Sequence, residues 1–178
     1  APRGGYVAGK EELVYMASCR LTAPGIAGEV GSALDFNRLA FQGIFMAPLI
    51  VEQALKGAVF AAKLLSQLGF KVSPEADEPR TDIIQAIQLD TADNVRRFCH
   101  GIQMASPLDA HVTPYDAELP GYDDPVIMAG GTFTQGSSIE LSVDGPMREP
   151  FIAYMQGGLS VAHVIAGVVA AVGQMQRS

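Results

Sequence analysis

Two arginines stand where their surroundings could hold a guanidinium group in a fixed direction. Arg148 lies between Pro146 and Pro150, and Arg80 lies in a charged loop. Proline restricts its own backbone angle, so a neighbouring arginine can present its planar fork to a carboxylate with less freedom to lose. The alternative is a surface arginine that pairs with an acid such as Glu149. The residues alone leave both interpretations open.

Glycines and hydroxyl groups cluster between Gly130 and Ser138, ahead of a predicted strand. Such a segment, which includes Gln135 and Ser137, lets the backbone approach a ligand closely. A tight loop would explain the same glycines equally well. The segment is therefore a candidate binding element and no more.

Other recognisable catalytic patterns are missing from the sequence. It has no dinucleotide-binding glycine motif, no P-loop and no nucleophile elbow. The histidines His100, His111 and His163 lack the spacing of metal ligands, and the acids of the Asp109–Asp124 region fit a solvated loop better than a calcium site. We therefore predict no metal site and no catalytic residue of a familiar hydrolytic type.

Composition and charge exclude several classes of partner. The 178 residues carry a formal net charge of −7, which argues against a surface for nucleic acid or anionic lipid, because both need concentrated basic side chains. The chain is 48% hydrophobic and 17% charged, so it is unusually apolar for its size. This composition indicates apolar surface that meets a partner or a further part of the same protein.

Cysteine usage and hydropathy bear on the compartment. Cys19 and Cys99 do not form a disulfide framework, which favours a reduced cytoplasmic protein. The longest apolar stretch, Leu49–Leu68, is interrupted by charged and amide side chains, so we do not expect it to span a membrane. The first residues lack the apolar core of a signal peptide.

The first 48 residues predict little regular structure before a long helix. Gly4–Gly9 reads as a short strand, and Lys10–Glu12 reads as a solvated turn. Helical periodicity begins at about Leu34, with Pro48 as the expected break or kink. Beyond it the polar residues of Leu49–Leu68 share one narrow face, which predicts a helix covered on most of its circumference.

The remainder of the chain alternates strands and helices. Asp90 or Thr91 can cap one helix, and Ser160 can cap the last. The resulting order β–β–α–β–β–β–α predicts an α+β domain with a mixed or antiparallel sheet and helices on one face. The predicted strands are Phe70–Pro74, Asp82–Leu89, Val126–Met128, Ser138–Val143 and Phe151–Met155.

Several long and unusual segments together resemble the methionine gamma-lyase family, also called the aluminium resistance protein family. The resemblance covers essentially the whole chain and is specific for membership, but it says little about the substrate. The segments are Gly4–Gly9, Arg20–Ile26, Phe41–Gly43, Glu78–Ala86, His111–Pro114, Pro120–Asp124 and Gly136–Arg148.

The resemblance implies a fold and a domain layout. The family is a branch of the fold-type I pyridoxal-phosphate (PLP) enzymes, of the aspartate aminotransferase type, and the chain corresponds to its C-terminal part. Residues 1–48 would be a remnant of the large PLP-binding domain, residues 49–69 a linker helix, and residues 70–178 the small C-terminal domain.

The resemblance also implies what the chain lacks. The lysine that forms the Schiff base with PLP is expected upstream of Ala1, so no catalytic residue is assigned and the chain alone is expected to be inactive. The partners it implies are a missing N-terminal PLP-binding domain, further copies in a homodimer or homotetramer, and a small amino-acid substrate. The cofactor-proximal candidates are Gln42 and Gly43, at the head of the long helix, together with Gln135 and Ser137 of the glycine-rich segment.

The candidates for the substrate carboxylate follow from a departure from the related lyases. Those enzymes carry an arginine on the strand that leads into the last helix, and the corresponding segment Phe151–Gln156 has none. Arg148 becomes the first candidate and Arg80 the second. The implied function is that of a PLP-dependent carbon–sulfur lyase acting on a sulfur-containing amino acid. The alternative is a free-standing oligomerisation or ligand-binding module, descended from such an enzyme and without catalysis.

Overall fold

The chain divides into two compact units, residues 1–48 and residues 49–178. The computed structural model describes residues 7–22, 24–27, 36–130 and 140–176. The candidates Gln135 and Ser137 lie outside these residues, as does the first half of the expected Gly4–Gly9 strand. Its second half, residues 7–9, is described and is not a strand, so the expectation is wrong there. The domain assignments made from the family resemblance stay predictions.

The first unit contains a helix that the sequence did not lead us to expect. Helix α1 spans Glu11–Leu21, so the interpretation of Lys10–Glu12 as a turn is wrong. Glu11 and Glu12 lie in the first turn, where carboxylates interact favourably with the positive end of the helix. The helix has no buried residue, which explains why its apolar pattern gave no clear signal.

A single long helix, α2, spans Phe36–Gln67 and crosses the boundary between the units. Its start agrees with the periodicity from about Leu34. Pro48 lies inside the helix, so of the expected break or kink the break is wrong and the kink stays a prediction. The buried residues all belong to the C-terminal half, and Gly69 follows with a positive φ of 94° as the helix ends. They are Ala54, Gly57, Ala58, Ala61, Ala62 and Leu65.

By length and composition alone, α2 could also cross a membrane. The core helix of a soluble protein passes the same test, and the C-terminal half of α2 contributes Ala61 and Leu65 to the core of the second unit. The expectation that this helix does not span a membrane stays a prediction.

The second unit is built on a five-stranded sheet in the order β1-β2-β5-β4-β3, in which every pair of neighbours is antiparallel. The α+β class is therefore confirmed, and the sheet is antiparallel rather than mixed. The strands are β1 Lys71–Ser73, β2 Gln85–Gln88, β3 Val126–Gly130, β4 Ser142–Pro146 and β5 Ile152–Gln156.

One face of this sheet is covered and the other is open. In the middle of the sheet Ala153 and Met155 of β5 are buried, whereas Tyr154 between them is 41% exposed. Two helices cover the buried face, α3 at Ala92–Met104 and α4 at Val161–Met175, and both contribute residues to the same core. Alternation along the strands therefore separates a core face from a face available to other groups.

The N-termini of α3 and α4 are capped in different ways. The Thr91 hydroxyl accepts from the backbone N–H of Asn94, so the expected cap of α3 is confirmed at Thr91. Ser160 makes no side-chain cap of α4. Instead the N–H of Val161 donates to the side-chain oxygen of Gln53 on α2, at 3.0 Å. The side-chain oxygen of Gln53 thus accepts an N-terminal hydrogen bond of α4, the role that was expected of Ser160.

Strand β4 begins later than the apolar pattern indicated. The expected strand was Ser138–Val143, and the observed strand is Ser142–Pro146. Gly145 occupies a core-facing position in it, because a Cβ there would lie 2.4 Å from a Val95 methyl and 3.1 Å from an Ile127 methyl. Because a glycine takes this core-facing position, the strand lacks the alternating apolar residues that would predict it.

Candidate functional site

Arg148 lies in the turn between β4 and β5, at the open face of the sheet. Its side chain is 66% exposed, and its Nη1 lies 3.7 Å from a carboxylate oxygen of Asp124. At this distance and exposure the pair is weak, so the guanidinium remains available to another anion.

A cavity of about 310 Å³ lies beside Arg148. Its walls combine the turn with Ile152 and Tyr154, the open-face side chains of β5. The remaining lining residues are Pro146, Glu149 and Pro150. The two prolines predicted to restrict Arg148 therefore help to form the space into which a small ligand could bind.

Asp144 is the half-buried acid of the open face. It pairs in register with Met128 on one side and Tyr154 on the other, so an apolar and an aromatic side chain flank it. Burial raises the pKa of its carboxyl group. The open face therefore combines this acid with the arginine of the adjoining turn.

Arg80 lies in the loop between β1 and β2 and has a different environment. Its Nη2 donates to the side-chain oxygen of Gln85 at 2.5 Å and to the carbonyl of Pro74 at 3.4 Å. In the described part of the chain, its Nε and Nη1 are buried and have no hydrogen-bond partner. All of its acceptors are neutral oxygens, so its charge is not compensated by a contact.

The guanidinium of Arg80 is also partly shielded from solvent. Burial lowers the pKa of its guanidinium, and the carboxylates of Asp82 and Glu78 partly offset this shift. Each of these acids is engaged elsewhere: Asp82 accepts from the N–H of Ile84 at 2.8 Å, and Glu78 accepts from the N–H of Glu75 at 2.7 Å. The two nearest charges therefore act on Arg80 through space.

Gln85 holds Arg80 through a hydrogen bond, although its residue type predicted no separate role for it. Its side chain is fully buried, and its amide nitrogen donates to the carbonyls of Pro74 and Ala86 at 3.0 and 3.2 Å. A glutamine in the core-facing row with Ile87 and Leu89 breaks the apolar alternation, and that break was the available signal.

The remaining candidates belong to the first unit or lie outside the described residues. Gln42 is exposed and Gly43 is partly exposed, both on α2. Whether Gln42, Gly43, Gln135 and Ser137 approach a cofactor stays a prediction.

The lysines test whether these residues could hold PLP. The chain has four, Lys10, Lys56, Lys63 and Lys71, and each is exposed to solvent. Lys56 pairs with Glu52 at 2.5 Å along the helix. A lysine that forms a Schiff base is normally desolvated or set beside another cation, so none of these amines fits that role. The residues of this chain do not by themselves fit PLP.

Metal ligands and thiols add little to the site. The described residues contain no group of three or more histidine, cysteine, aspartate or glutamate side chains that could hold a metal ion. The ring of His163 contacts the carbonyl of Ala105 at 3.2 Å, as in a structural histidine. Cys99 is fully buried in the core, and burial is the main cause that raises its pKa to about 12.

We expect the two thiols to differ sharply in reactivity. With a pKa of about 12, the Cys99 thiol is ionised to a fraction on the order of 10⁻⁵ at pH 7, and the core shields it. Cys19 on α1 is partly exposed. Iodoacetamide followed by peptide mass spectrometry should label Cys19 in the folded chain and Cys99 only after denaturation. Equal labelling of both in the folded chain would contradict the buried position.

Comparison with known proteins decides the family. The family model described as methionine gamma-lyase matches residues 1–176. The chain belongs to the methionine gamma-lyase family. The resemblance inferred from the sequence motifs is thereby confirmed.

Individual relatives of this methionine gamma-lyase family member agree with the match. The Bacillus subtilis protein YnbB is 49% identical over 99% of this chain. A crystal structure from Listeria monocytogenes, named "putative cystathionine beta-lyase involved in aluminum resistance", has a TM-score of 0.87 and 46% identity over 94% of this chain. A Clostridium novyi structure named as a carbon-sulfur lyase involved in aluminum resistance has a TM-score of 0.82 and 47% identity over 91% of this chain.

The chain spans only part of these relatives. It covers 42% of YnbB, 42% of the Listeria chain and 38% of the Clostridium novyi chain. The matched part is the C-terminal portion of the family's proteins. The site described above therefore corresponds to one portion of the relatives' longer chains.

Proposed function

We propose that the full-length protein is a PLP-dependent carbon–sulfur lyase that acts on a sulfur-containing amino acid. The observation that carries this proposal is the family match over residues 1–176, and the name of the Clostridium novyi relative supports the reaction class. PLP would supply the electron sink for the elimination, and the fold would be of type I.

In this proposal residues 1–178 orient the substrate, and the PLP-binding lysine lies elsewhere in the full-length protein. The solvent exposure of the four lysines supports that division. Arg148 receives the substrate carboxylate, because it is exposed, weakly paired and adjacent to the cavity at the open face. A small amino acid held there by its carboxylate loses orientational freedom before reaction.

We also propose that the lyase is a cytoplasmic homodimer or homotetramer. The N-terminal half of α2 supports association, because Phe41, Ile44 and Phe45 are 70–82% exposed in the single chain and lie on one helical face. The remainder of the full-length protein is the other partner that could cover such a surface. Neither nucleic acid nor a membrane is required.

The test is an activity assay on the purified full-length protein. With cystathionine or methionine as substrate, we expect PLP-dependent release of a 2-oxo acid, ammonia and a thiol. The measurement is the rate of 2-oxo acid formation before and after removal of PLP by dialysis against hydroxylamine. A protein that carries stoichiometric PLP but releases none of these products from sulfur amino acids would contradict the reaction class.

A free-standing module is the second candidate, and one observation favours it. The second unit has its own core, formed by α3, α4, the C-terminal half of α2 and the sheet. The intact mass of the protein in its source cells separates the two candidates. A mass well above 18.8 kDa supports the lyase, and a mass of 18.8 kDa supports the module or a lyase assembled from two chains.

A further inference from the structure

A second cavity, of about 230 Å³, lies at the edge of the sheet and plays no part in the proposed function. It separates strand β3 from residues 112–117 of the loop that follows α3. The apolar residues of its walls are Val112, Pro114, Ala117, Val126 and Met128. At about 30 Å³ for each water molecule, its volume is enough for a small organic ligand.

Strand β3 has an unpaired backbone N–H and C=O beside this cavity. It is an edge strand, so its residues alternate between bonding to β4 and pointing outward. Val126 points outward and exchanges two hydrogen bonds with Ala117, at 2.9 and 3.1 Å. Gly130 also points outward, and its N–H donates to Gln103 Oε1 at 2.8 Å. Met128 lies between them with the same direction, and among the described residues its N–H and C=O have no partner.

The loop segment nearest to Met128 does not fill this gap. If the pairing of Ala117 with Val126 continued in antiparallel register, Tyr115 would lie opposite Met128. The pairing stops at Ala117 instead, and residues 112–116 are not a strand. The cavity is the space between this segment and the strand edge.

Two side chains of α3 hold the segment near its ends. Gln103 is only 6% exposed, and its Nε2 donates to the carbonyl of Asp109 at 2.9 Å. Arg96 donates two parallel hydrogen bonds to the carboxylate of Asp116, at 3.1 and 2.7 Å. A bidentate pair fixes direction better than a single contact does. The fold therefore maintains the cavity together with its unpaired strand edge.

We propose that this cavity binds a small uncharged primary amide. A primary amide presents a C=O acceptor and an N–H donor side by side, which are the two partners that the backbone of Met128 lacks. The described residues that line the cavity include no lysine or arginine, and the carboxylate of Asp109 is exposed, so the site does not favour an anion. The apolar walls favour an aliphatic group on the ligand. This site does not depend on the lyase reaction.

The experiment uses the full-length protein, with isobutyramide as the probe. The measurement is hydrogen–deuterium exchange of the peptide that covers residues 126–130. Two controls match the probe in shape: 3-methyl-2-butanone replaces the amide nitrogen by a methyl group, and isobutyrate replaces the amide by a carboxylate. We expect isobutyramide at ten times its Kd to slow exchange at Met128 about tenfold, and the two controls to have no effect.

A pair of variants tests the backbone contact itself. Met128→Pro removes the N–H, and an edge strand tolerates proline where that N–H points off the sheet. Met128→Ala is the matched control, because it loses the same side chain but keeps the N–H. Isobutyramide should raise the unfolding temperature of wild type and Met128→Ala, but not of Met128→Pro. If Met128→Pro does not fold, Ala117→Leu, which fills the cavity, should abolish the response in its place.

Three results would overturn the proposal. The first is no response of wild type to isobutyramide. The second is an equal response to the ketone, or equal responses of Met128→Pro and Met128→Ala. The third is an amide of Met128 that is already protected from exchange without the probe, since another segment of the protein would then pair with β3. Catalytic activity is not measured, so a failure of the lyase assignment leaves this test intact.

Discussion

A methyl group added at Gly101 is expected to lower the free energy of unfolding by about 3 kcal/mol. A Cβ at this position would lie 2.3 Å from the Cα of Ala171 and 2.6 Å from its backbone nitrogen. The obstacle is the main chain of α4, which cannot move aside as a flexible side chain does. Denaturant unfolding of Gly101→Ala against wild type measures the effect.

Gly173 of the same helix pair supplies the matched control. A Cβ there would meet nothing within 4 Å, and the residue lies inside α4. Alanine is the better helix former, so Gly173→Ala should stabilise the protein by up to about 1 kcal/mol. Equal destabilisation by the two substitutions would show that helix packing at Gly101 is not the cause.

Replacing Arg148 with alanine is expected to raise KM about 10- to 100-fold in the full-length enzyme. The loss corresponds to about 1.5–3 kcal/mol, the usual worth of a hydrogen bond to a charged group. Steady-state kinetics with a sulfur amino acid measures it, and Arg148→Lys should recover part of the loss because it keeps the charge but not the planar fork.

Asp124→Asn is the informative companion to this variant. It removes the weak partner of Arg148 at 3.7 Å and leaves the arginine in place, so KM should stay the same or fall. An unchanged KM in Arg148→Ala would refute the carboxylate role of this residue. An increase in KM confined to Arg80→Gln would transfer that role to the loop between β1 and β2.

The sequence predicted the elements of the second unit well because their signals are local. Val95, Phe98 and Ile102 keep helical spacing, Thr91 can cap, and all three apolar residues are fully buried in α3. Helix α1 was not predicted because it buries no residue. The predicted bounds of β4 were too early in the chain because Gly145 stands where an apolar side chain would mark the strand. In both elements the apolar periodicity is weak, so the pattern alone does not define their bounds.

The candidate site was harder to predict than these elements for two reasons. Some of its contacts join residues that are distant in the chain, and others involve residues whose type does not indicate a role. The prolines beside Arg148 were visible, but the cavity with Tyr154 depends on the β4–β5 turn folding back on the sheet. The Arg80 locus depends on Gln85, whose importance follows from full burial and three hydrogen bonds. Neither property can be read from the residue type.

The strand order has a consequence for how the protein is made. Strand β5 is the last of the five described strands along the chain, yet it lies in the centre of the sheet between β2 and β4. During synthesis β2 leaves the ribosome long before its partner exists, so its paired edge stays open until β5 emerges. The sheet of this unit therefore cannot close before β5 has been made, closure of these distant contacts is slow, and the nascent chain is most open to aggregation or chaperone binding in that interval.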